Sequence, residues 1–148
     1  MRAHDGSVAG FEALLRWERP DGTIIPPNDF IPIAEETGLI VSIGDWIIDQ
    51  ACEQLRAWNR EAINAPWISV NVSAMQLGHH RLQRSLRRAL EQSGADPRRL
   101  VIELTESAFV TDEETNTAEL DQLRRMGVPE IDLPRRMLYY LCAAMPLM

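Results

Sequence analysis

Three short apolar segments of the chain each carry one polar side chain of a type that binds metal ions. Burying a carboxylate or an amide in such a segment costs free energy unless the group is paired, hydrogen-bonded or bound to a cation. Carboxylate and amide oxygens are also the ligands that hard divalent cations prefer. The pattern therefore predicts one shared cation site. Its candidate ligands are Glu12 in the segment 10–17, Asn71 in the segment 68–73 and Glu103 in the segment 100–107.

The elements that position these residues follow from hydrophobic periodicity. Alternating apolar and polar residues predict strands, and apolar residues at a spacing of three and four predict helices. Strand and helix alternate along the chain, which favours parallel βα units with helices covering the sheet, as in a (β/α) barrel. In such a barrel the functional residues lie near the carboxyl ends of the strands, where Asn71 and Glu103 fall. The predicted strands are 7–17, 67–73 and 100–105, and the predicted helices are 28–36, 45–60, 80–93 and 111–125.

Composition limits the class of protein. The chain has 148 residues, of which 45% are hydrophobic, so it can bury the core of one domain. Its net charge of −7 argues against non-specific binding to nucleic acid, although divalent cations would still allow an anionic small ligand.

Neither a secretory signal nor an apolar run of membrane-spanning length is visible, so we expect a cytoplasmic protein. Two cysteines, Cys52 and Cys142, form no disulfide framework, and we expect Cys52 to be a buried free thiol.

With these residues in place, the chain resembles the EAL domain family of bacterial cyclic-di-GMP phosphodiesterases, which act in signal transduction. The resemblance depends on four motifs in the family's order and covers about residues 7–128. The tripeptide Glu12-Ala13-Leu14 alone would be weak evidence for the family, whereas four motifs in the same order are specific to it. The motifs are Glu12-Ala13-Leu14 within Phe-Glu-Ala-Leu-Leu-Arg-Trp, the segment Pro27–Ile40, Ser69-Val-Asn-Val-Ser73 and Glu103-Leu-Thr-Glu-Ser107.

The resemblance implies a fold, a reaction and a set of residues. The implied fold is a TIM-type barrel, and two divalent cations, Mg²⁺ or Mn²⁺, activate a water that hydrolyses cyclic-di-GMP to the linear dinucleotide pGpG. Glu12, Asn71 and Glu103 match the family's metal ligands. Arg16 matches a residue that contacts the substrate phosphate, and Glu106 matches a glutamate that braces a neighbouring loop.

The chain departs from the family pattern after Val128. The family's next strand supplies two aspartates to the metals, whereas here the sequence continues with Pro129 and Pro134, which disfavour a central strand because proline lacks an N–H. Asp132 is the one candidate for a remaining aspartate ligand. Later family motifs are missing, so no general base can be assigned. We therefore expect an α/β fold that forms a partial TIM-type barrel of about three to four βα units.

Two segments are predicted, a partial EAL domain over residues 7–128 and an apolar tail over 129–148 that is unrelated to the family. The last 16 residues contain 12 apolar ones. One hypothesis is that a frameshift produced the tail, and the alternative is a gene end or a fragment. Reading the coding DNA in the other frames decides between these hypotheses.

Two classes of function stay open from the sequence. The first is an enzyme, a phosphodiesterase domain seen in part. The second is a non-catalytic remnant that acts as a cyclic-di-GMP sensor or a protein-interaction module, and the absent metal ligands favour it. Each of the three polar residues taken alone is better explained as a residue on a half-solvated sheet face, whereas the four ordered motifs together favour inherited ligand positions. A partial barrel also leaves open sheet edges, which predicts self-association.

Overall fold

The computed structural model describes residues 10–61, 67–77, 80–104 and 113–132. Within these ranges the chain forms short strands and four α-helices, joined in part by two 3₁₀ turns at Ala74–Gln76 and Pro97–Arg99. The strands are β1 (Phe11–Ala13), β2 (Trp17–Glu18), β3 (Ile24–Ile25), β4 (Ile68–Val72), β5 (Leu100–Leu104) and β6 (Glu130–Asp132). The helices are α1 (Pro27–Glu36), α2 (Leu39–Arg60), α3 (Arg81–Ser93) and α4 (Glu113–Arg125).

The main sheet has four parallel strands in the order β1-β4-β5-β6. Parallel strands need crossover connections, and helices supply them here. The pair α1 and α2 links β1 to β4, α3 links β4 to β5, and α4 links β5 to β6. The alternation of strand and helix expected from the sequence is therefore confirmed as an α/β fragment with a parallel sheet.

The first predicted strand is shorter than expected. Of residues 10–17, only β1 joins the main sheet, and Trp17 belongs to a separate antiparallel hairpin of β2 and β3. Residues 7–9 lie outside the described part of the chain. The hairpin forms because Gly22 takes a positive φ of 82° in its turn, where Asp21 Oδ1 also accepts a hydrogen bond from the Thr23 N–H at 2.9 Å.

Helix α2 begins six residues before the predicted start at Asp45, directly after Gly38. Gly38 has a φ of +74°, and this left-handed residue ends one helix and starts the next. The prediction missed the first turns because β-branched residues between Leu39 and Ile43 weaken the helical signal. Burial of Ile40 against the rest of the protein outweighs that weak local preference.

The core lies between the main sheet and the helices that cover it. The central strands β4 and β5 are buried along nearly their whole length, as is usual for parallel strands. Cys52 of α2 is fully buried in this core as a free thiol, which confirms the sequence prediction, and burial raises its pKa to about 11. The core side chains include Ile48, Leu55, Val70, Val72, Leu86, Leu100, Ile102 and Leu123.

A short strand forms directly after Pro129, in a region where the prolines are expected to disfavour a central strand. Proline lacks an N–H, but its carbonyl is still a hydrogen-bond acceptor. The Ile102 N–H donates to the Pro129 carbonyl at 3.0 Å, and the next three residues pair with β5. Pro134 lies outside the described residues. Pro129 precedes β6, which is an edge strand of the described sheet, so the expectation that the prolines disfavour a central strand is not contradicted.

Candidate metal and ligand site

The strand register brings the three predicted ligands to one face of the sheet. Asn71 on β4 is level with Glu103 on β5, and Glu12 on β1 is level with Ser69 on β4. Level residues in a sheet share a face, as do residues two apart on one strand. Glu12, Ser69, Asn71 and Glu103 therefore lie on the face opposite Val70. The period-two pattern of the sequence is what places them there.

A hydrogen bond joins two of these side chains directly. The Asn71 Nδ2 donates to Glu12 Oε1 at 2.7 Å and so ties β1 to β4 through side chains. Glu12 is only 9% exposed, whereas Asn71 is exposed. The sequence pattern predicts that all three polar residues are buried, and for Asn71 this prediction is wrong. Asn71 lies near the carboxyl end of β4, where the site is open to solvent.

Glu103 is the most deeply buried member of the site, at 1% exposure. Within the described residues, its Oε1 and the Ser69 hydroxyl each lack a hydrogen-bond partner of good geometry. Burial raises the pKa of the Glu103 carboxyl, the nearby Ser69 hydroxyl opposes that rise, and the charge of Glu12 adds to it. A buried carboxylate oxygen without a hydrogen-bond partner is unusual in a folded protein.

The donor set determines what the site can hold. Two carboxylates and one amide are hard oxygen donors, which suit Mg²⁺ or Mn²⁺. Across the described ranges, no three or more histidine, cysteine, aspartate or glutamate side chains come together as a potential metal site. Glu12, Asn71 and Glu103 together carry too little negative charge to offset the dehydration of two hard cations.

A second hydrogen-bonded group, which the sequence pattern did not predict, stabilises the chain directly after β4. The Ser73 hydroxyl donates to Glu35 Oε1 at 2.6 Å, and the Ser73 N–H donates to Gln76 Oε1 at 3.0 Å. These bonds connect the end of β4 to α1 and to the following turn, and so restrain the strand end that carries Asn71. The Ser-x-x-Gln spacing of residues 73–76 is a capping-box signal that could have revealed half of this arrangement.

The remaining predicted site residues have different positions, and Arg16 lines the same groove as Glu12. Arg16 is half-buried and lines a groove beside β1. Asp132 is level with Leu104 on β5, and the β6 position level with Glu103 is Ile131. Glu106 lies outside the described residues.

No helix among the described residues has the length and apolar character required to cross a lipid bilayer.

Comparison with known proteins identifies relatives over most of the chain. The EAL domain family matches residues 1–129. The bifunctional diguanylate cyclase/cyclic di-GMP phosphodiesterase MucR of Pseudomonas aeruginosa is 46% identical over 127 residues, which is 85% of this chain and 18% of MucR. The solved cyclic-di-GMP complex of the PaMucR phosphodiesterase superposes with a TM-score of 0.79 at 44% identity, and it covers 84% of this chain and 51% of that one.

A metal-containing structure is also similar. The manganese/cyclic-di-GMP complex of Klebsiella pneumoniae BlrP1 superposes with a TM-score of 0.59 at 25% identity, over 82% of this chain and 29% of that one. The chain thus spans about half of the solved PaMucR chain and less than a fifth of full-length MucR.

Proposed function

Because the chain belongs to the EAL domain family, we propose that it carries part of a cyclic-di-GMP phosphodiesterase site and binds one divalent cation through Glu12, Asn71 and Glu103. The observation that supports this most directly is the convergence of these side chains on one sheet face, with a buried carboxylate oxygen of Glu103 left without a partner. The parallel sheet is then the first part of a TIM-type barrel, and the protein acts in cytoplasmic signalling.

The proposed cation is Mg²⁺ or Mn²⁺. A bound cation would neutralise the two carboxylates and offer a Lewis-acid contact to a phosphate oxygen. Asn71 would take part through its amide oxygen, because rotating the amide exchanges that oxygen with the nitrogen that now bonds Glu12. The manganese and cyclic-di-GMP recorded together in the BlrP1 complex support this choice of ion and ligand.

The proposed organic ligand is cyclic-di-GMP. It is a dianion, and a chain with a net charge of −7 needs local positive charge to hold it. The cation supplies part of that charge. Arg16 supplies a phosphate contact, since a guanidinium presents a planar set of donors that suits phosphate oxygens.

We propose that the chain on its own binds this ligand weakly without hydrolysing it. Activation of water by two metals requires ligands for both ions. The described residues offer ligands for one ion. Asp132 does not add to them, because it is level with Leu104 and not with Glu103 in the sheet. The function proposed for this chain is therefore that of a cyclic-di-GMP sensor built on a phosphodiesterase scaffold.

Titration calorimetry tests the cation site. MnCl₂ is titrated into the native protein and into Glu103→Gln, with Glu91→Gln on the exposed face of α3 as the matched control. We expect one site per chain, affinity lowered at least tenfold in Glu103→Gln, and affinity unchanged in Glu91→Gln. Equal affinity in all three proteins would refute the assignment of Glu103.

Nucleotide assays separate binding from catalysis. Cyclic-di-GMP is titrated in the presence of MnCl₂, and pGpG release is followed by chromatography over hours. We expect weak binding that a chelator abolishes, and no pGpG above the protein-free control. Turnover that scales with the amount of pure native protein and disappears in Glu103→Gln would show that the chain is an enzyme.

A protein-interaction role is the second candidate, and the open edge of β6 favours it. In the described part of the sheet, β6 pairs with β5 on one side only. An unpaired parallel edge accepts further strands, including those of another copy. Sedimentation velocity at increasing protein concentration tests this role, because a monodisperse monomer at all concentrations would argue against it.

A further inference from the structure

Ser73, the residue directly after β4, is hydrogen-bonded to side chains of two other elements. Its hydroxyl is bonded to Glu35 on α1, and its backbone N–H is bonded to Gln76 in the following 3₁₀ turn. Ser73 and Gln76 are buried, and Glu35 is half-buried. Gln76 in turn lies against Gly44 of α2, so closely that a β-carbon at position 44 would overlap its amide. The chain after β4 is therefore attached to both α1 and α2.

The sheet itself gives little support to this end of β4. On one side β1 pairs with β4 only as far as Val70, and on the other side β5 pairs with it only as far as Val72. Asn71 therefore has a paired residue on one side, and Ser73 has none in the described sheet. The side-chain bonds of Ser73 begin where the strand pairing ends, so they are what fixes the chain at this point.

Asn71 is the proposed cation ligand that depends most on this support. Its side chain is exposed, so packing does not fix its direction. Its bond to Glu12 uses the amide nitrogen, and this bond is lost when the amide rotates to offer its oxygen to a cation. The direction of the ligand oxygen is then set by the backbone at the end of β4. Groups that orient a ligand without contacting the metal typically change metal affinity by about 10–100-fold.

Glu35 fits an orienting role better than the role of a further ligand. Its Oε1 already accepts the Ser73 hydroxyl at 2.6 Å, a distance typical of a charge-assisted bond to a carboxylate. Among the described residues, no three acidic, histidine or cysteine side chains come together as a potential metal site. Glu35 therefore does not join Glu12 and Glu103 as a third carboxylate at the cation.

We propose that Glu35 is a positioning residue for the cation site, which fixes the end of β4 through Ser73 so that Asn71 can bind the ion. This role rests on the proposed function, because it concerns the affinity of the same cation site. It requires an acceptor oxygen at position 35, and it does not require a negative charge there. Glutamine should therefore replace Glu35, whereas alanine should not.

Titration calorimetry with MnCl₂ tests this role. Native protein is compared with Glu35→Ala, Glu35→Gln and the matched control Glu36→Ala, which removes the same charge from the exposed neighbouring position of α1. We expect affinity to fall about tenfold in Glu35→Ala and to stay within about twofold of native in the other two variants. Native affinity in Glu35→Ala would overturn the proposal, since a purely structural role lowers the urea midpoint without changing the affinity of the folded protein. Equal losses in Glu35→Ala and Glu35→Gln would overturn it as well, because the charge would then be what matters.

A double-mutant cycle tests whether Glu35 acts through Ser73. Ser73→Ala and the double variant Glu35→Ala/Ser73→Ala are titrated under the same conditions. We expect the double variant to bind Mn²⁺ no more weakly than Ser73→Ala, because the bond between the two residues can be removed only once. Losses that multiply in the double variant would show that Glu35 acts independently of Ser73 and would refute the proposed route.

A measurement without metal separates the role of Glu35 from the proposed function. The side-chain NH₂ signals of Asn71 are recorded by ¹⁵N NMR in a chelator and are assigned by their absence in Asn71→Asp. We expect them to shift in Glu35→Ala and to remain in place in Glu36→Ala. Unchanged signals in Glu35→Ala would refute the positioning role even if the native protein binds Mn²⁺. Shifted signals in a native background that binds no Mn²⁺ would refute the cation site and leave the link between Glu35 and Asn71 supported.

Discussion

Replacing Glu103 with glutamine should stabilise the protein when no cation is bound and destabilise it, relative to the native chain, when one is. The substitution removes the negative charge and nearly preserves the volume of the side chain. Glu103 is 1% exposed, and its Oε1 has no partner among the described residues. The native carboxylate therefore lowers the stability of the cation-free protein, and a bound cation would remove this penalty.

The pH dependence of this effect has a definite sign. Burial raises the pKa of Glu103 in the folded state above its value in the unfolded chain, which is about 4.3. Protonated Glu103 contributes to the free energy of unfolding. This contribution is fully present below the pKa that Glu103 has in the unfolded chain, and it is lost as pH rises through the pKa of the folded state. The native protein should therefore become less stable than Glu103→Gln as pH rises from about 4 towards neutrality.

The magnitude follows from the unpaired oxygen and from linkage. A buried acceptor without a partner costs about 1–3 kcal/mol, and glutamine removes its charge but retains one carbonyl. We therefore expect Glu103→Gln to be about 1 kcal/mol more stable than native protein at pH 7 in a chelator, and nearly equal at pH 4. Mn²⁺ at a hundred times its Kd for the native protein adds about 2.7 kcal/mol to the native protein and about 1.4 kcal/mol to a variant of tenfold lower affinity, so the order reverses.

Urea unfolding measures both parts of this prediction. Native protein, Glu103→Gln and the exposed control Glu91→Gln are unfolded at pH 4 and pH 7 with chelator, and at pH 7 with MnCl₂. The control should follow the native protein in every condition. If Glu103→Gln is less stable than native protein in chelator at pH 7, Glu103 is satisfied within the apo fold and the reasoning fails.

Further substitutions probe the surroundings of the site. Gly44→Ala should lower the free energy of unfolding by about 1–3 kcal/mol, because the added methyl overlaps the buried Gln76 amide. Increased stability of this variant in urea would instead show that Gln76 moves aside freely. Ser73→Ala should cost about 1–2 kcal/mol by removing both the turn cap and the 2.6 Å bond to Glu35, and an unchanged urea midpoint would argue against that bond. Cys52 should resist alkylation at pH 8 in the native state and react in urea, as peptide mass spectrometry can show, since burial raises its pKa to about 11.

The candidate site was largely predictable because a strand has a period of two. That period fixes which residues of one strand share a face, so Ser69 and Asn71 had to lie together. Parallel pairing then predicts that polar residues near the carboxyl ends of neighbouring strands meet, as Asn71 and Glu103 do. The burial of each residue was harder to predict. Asn71 is exposed, whereas Glu103, level with it on the next strand, is 1% exposed.

The features that the sequence did not reveal depend on contacts between distant residues. The Glu35 bond to Ser73 joins side chains 38 positions apart, and no local pattern encodes it. The extent of β1 was missed for a related reason. Apolar residues continue through Trp17, but the pairing of Trp17 with Ile25 in a hairpin draws it away from the main sheet. Here tertiary pairing decides between two structures that the local sequence permits equally.

The proposed site and the stability of the sheet are physically coupled through β1. This strand has only three residues, pairs with β4 alone in the described sheet, and therefore has little backbone pairing of its own. In the apo protein, the side-chain hydrogen bond between Asn71 and Glu12 connects β1 to β4. A cation held by Glu12, Asn71 and Glu103 would connect β1, β4 and β5 at once. Cation binding should therefore stabilise β1 more than the rest of the sheet, because local opening of β1 would have to break the cation's contact with Glu12.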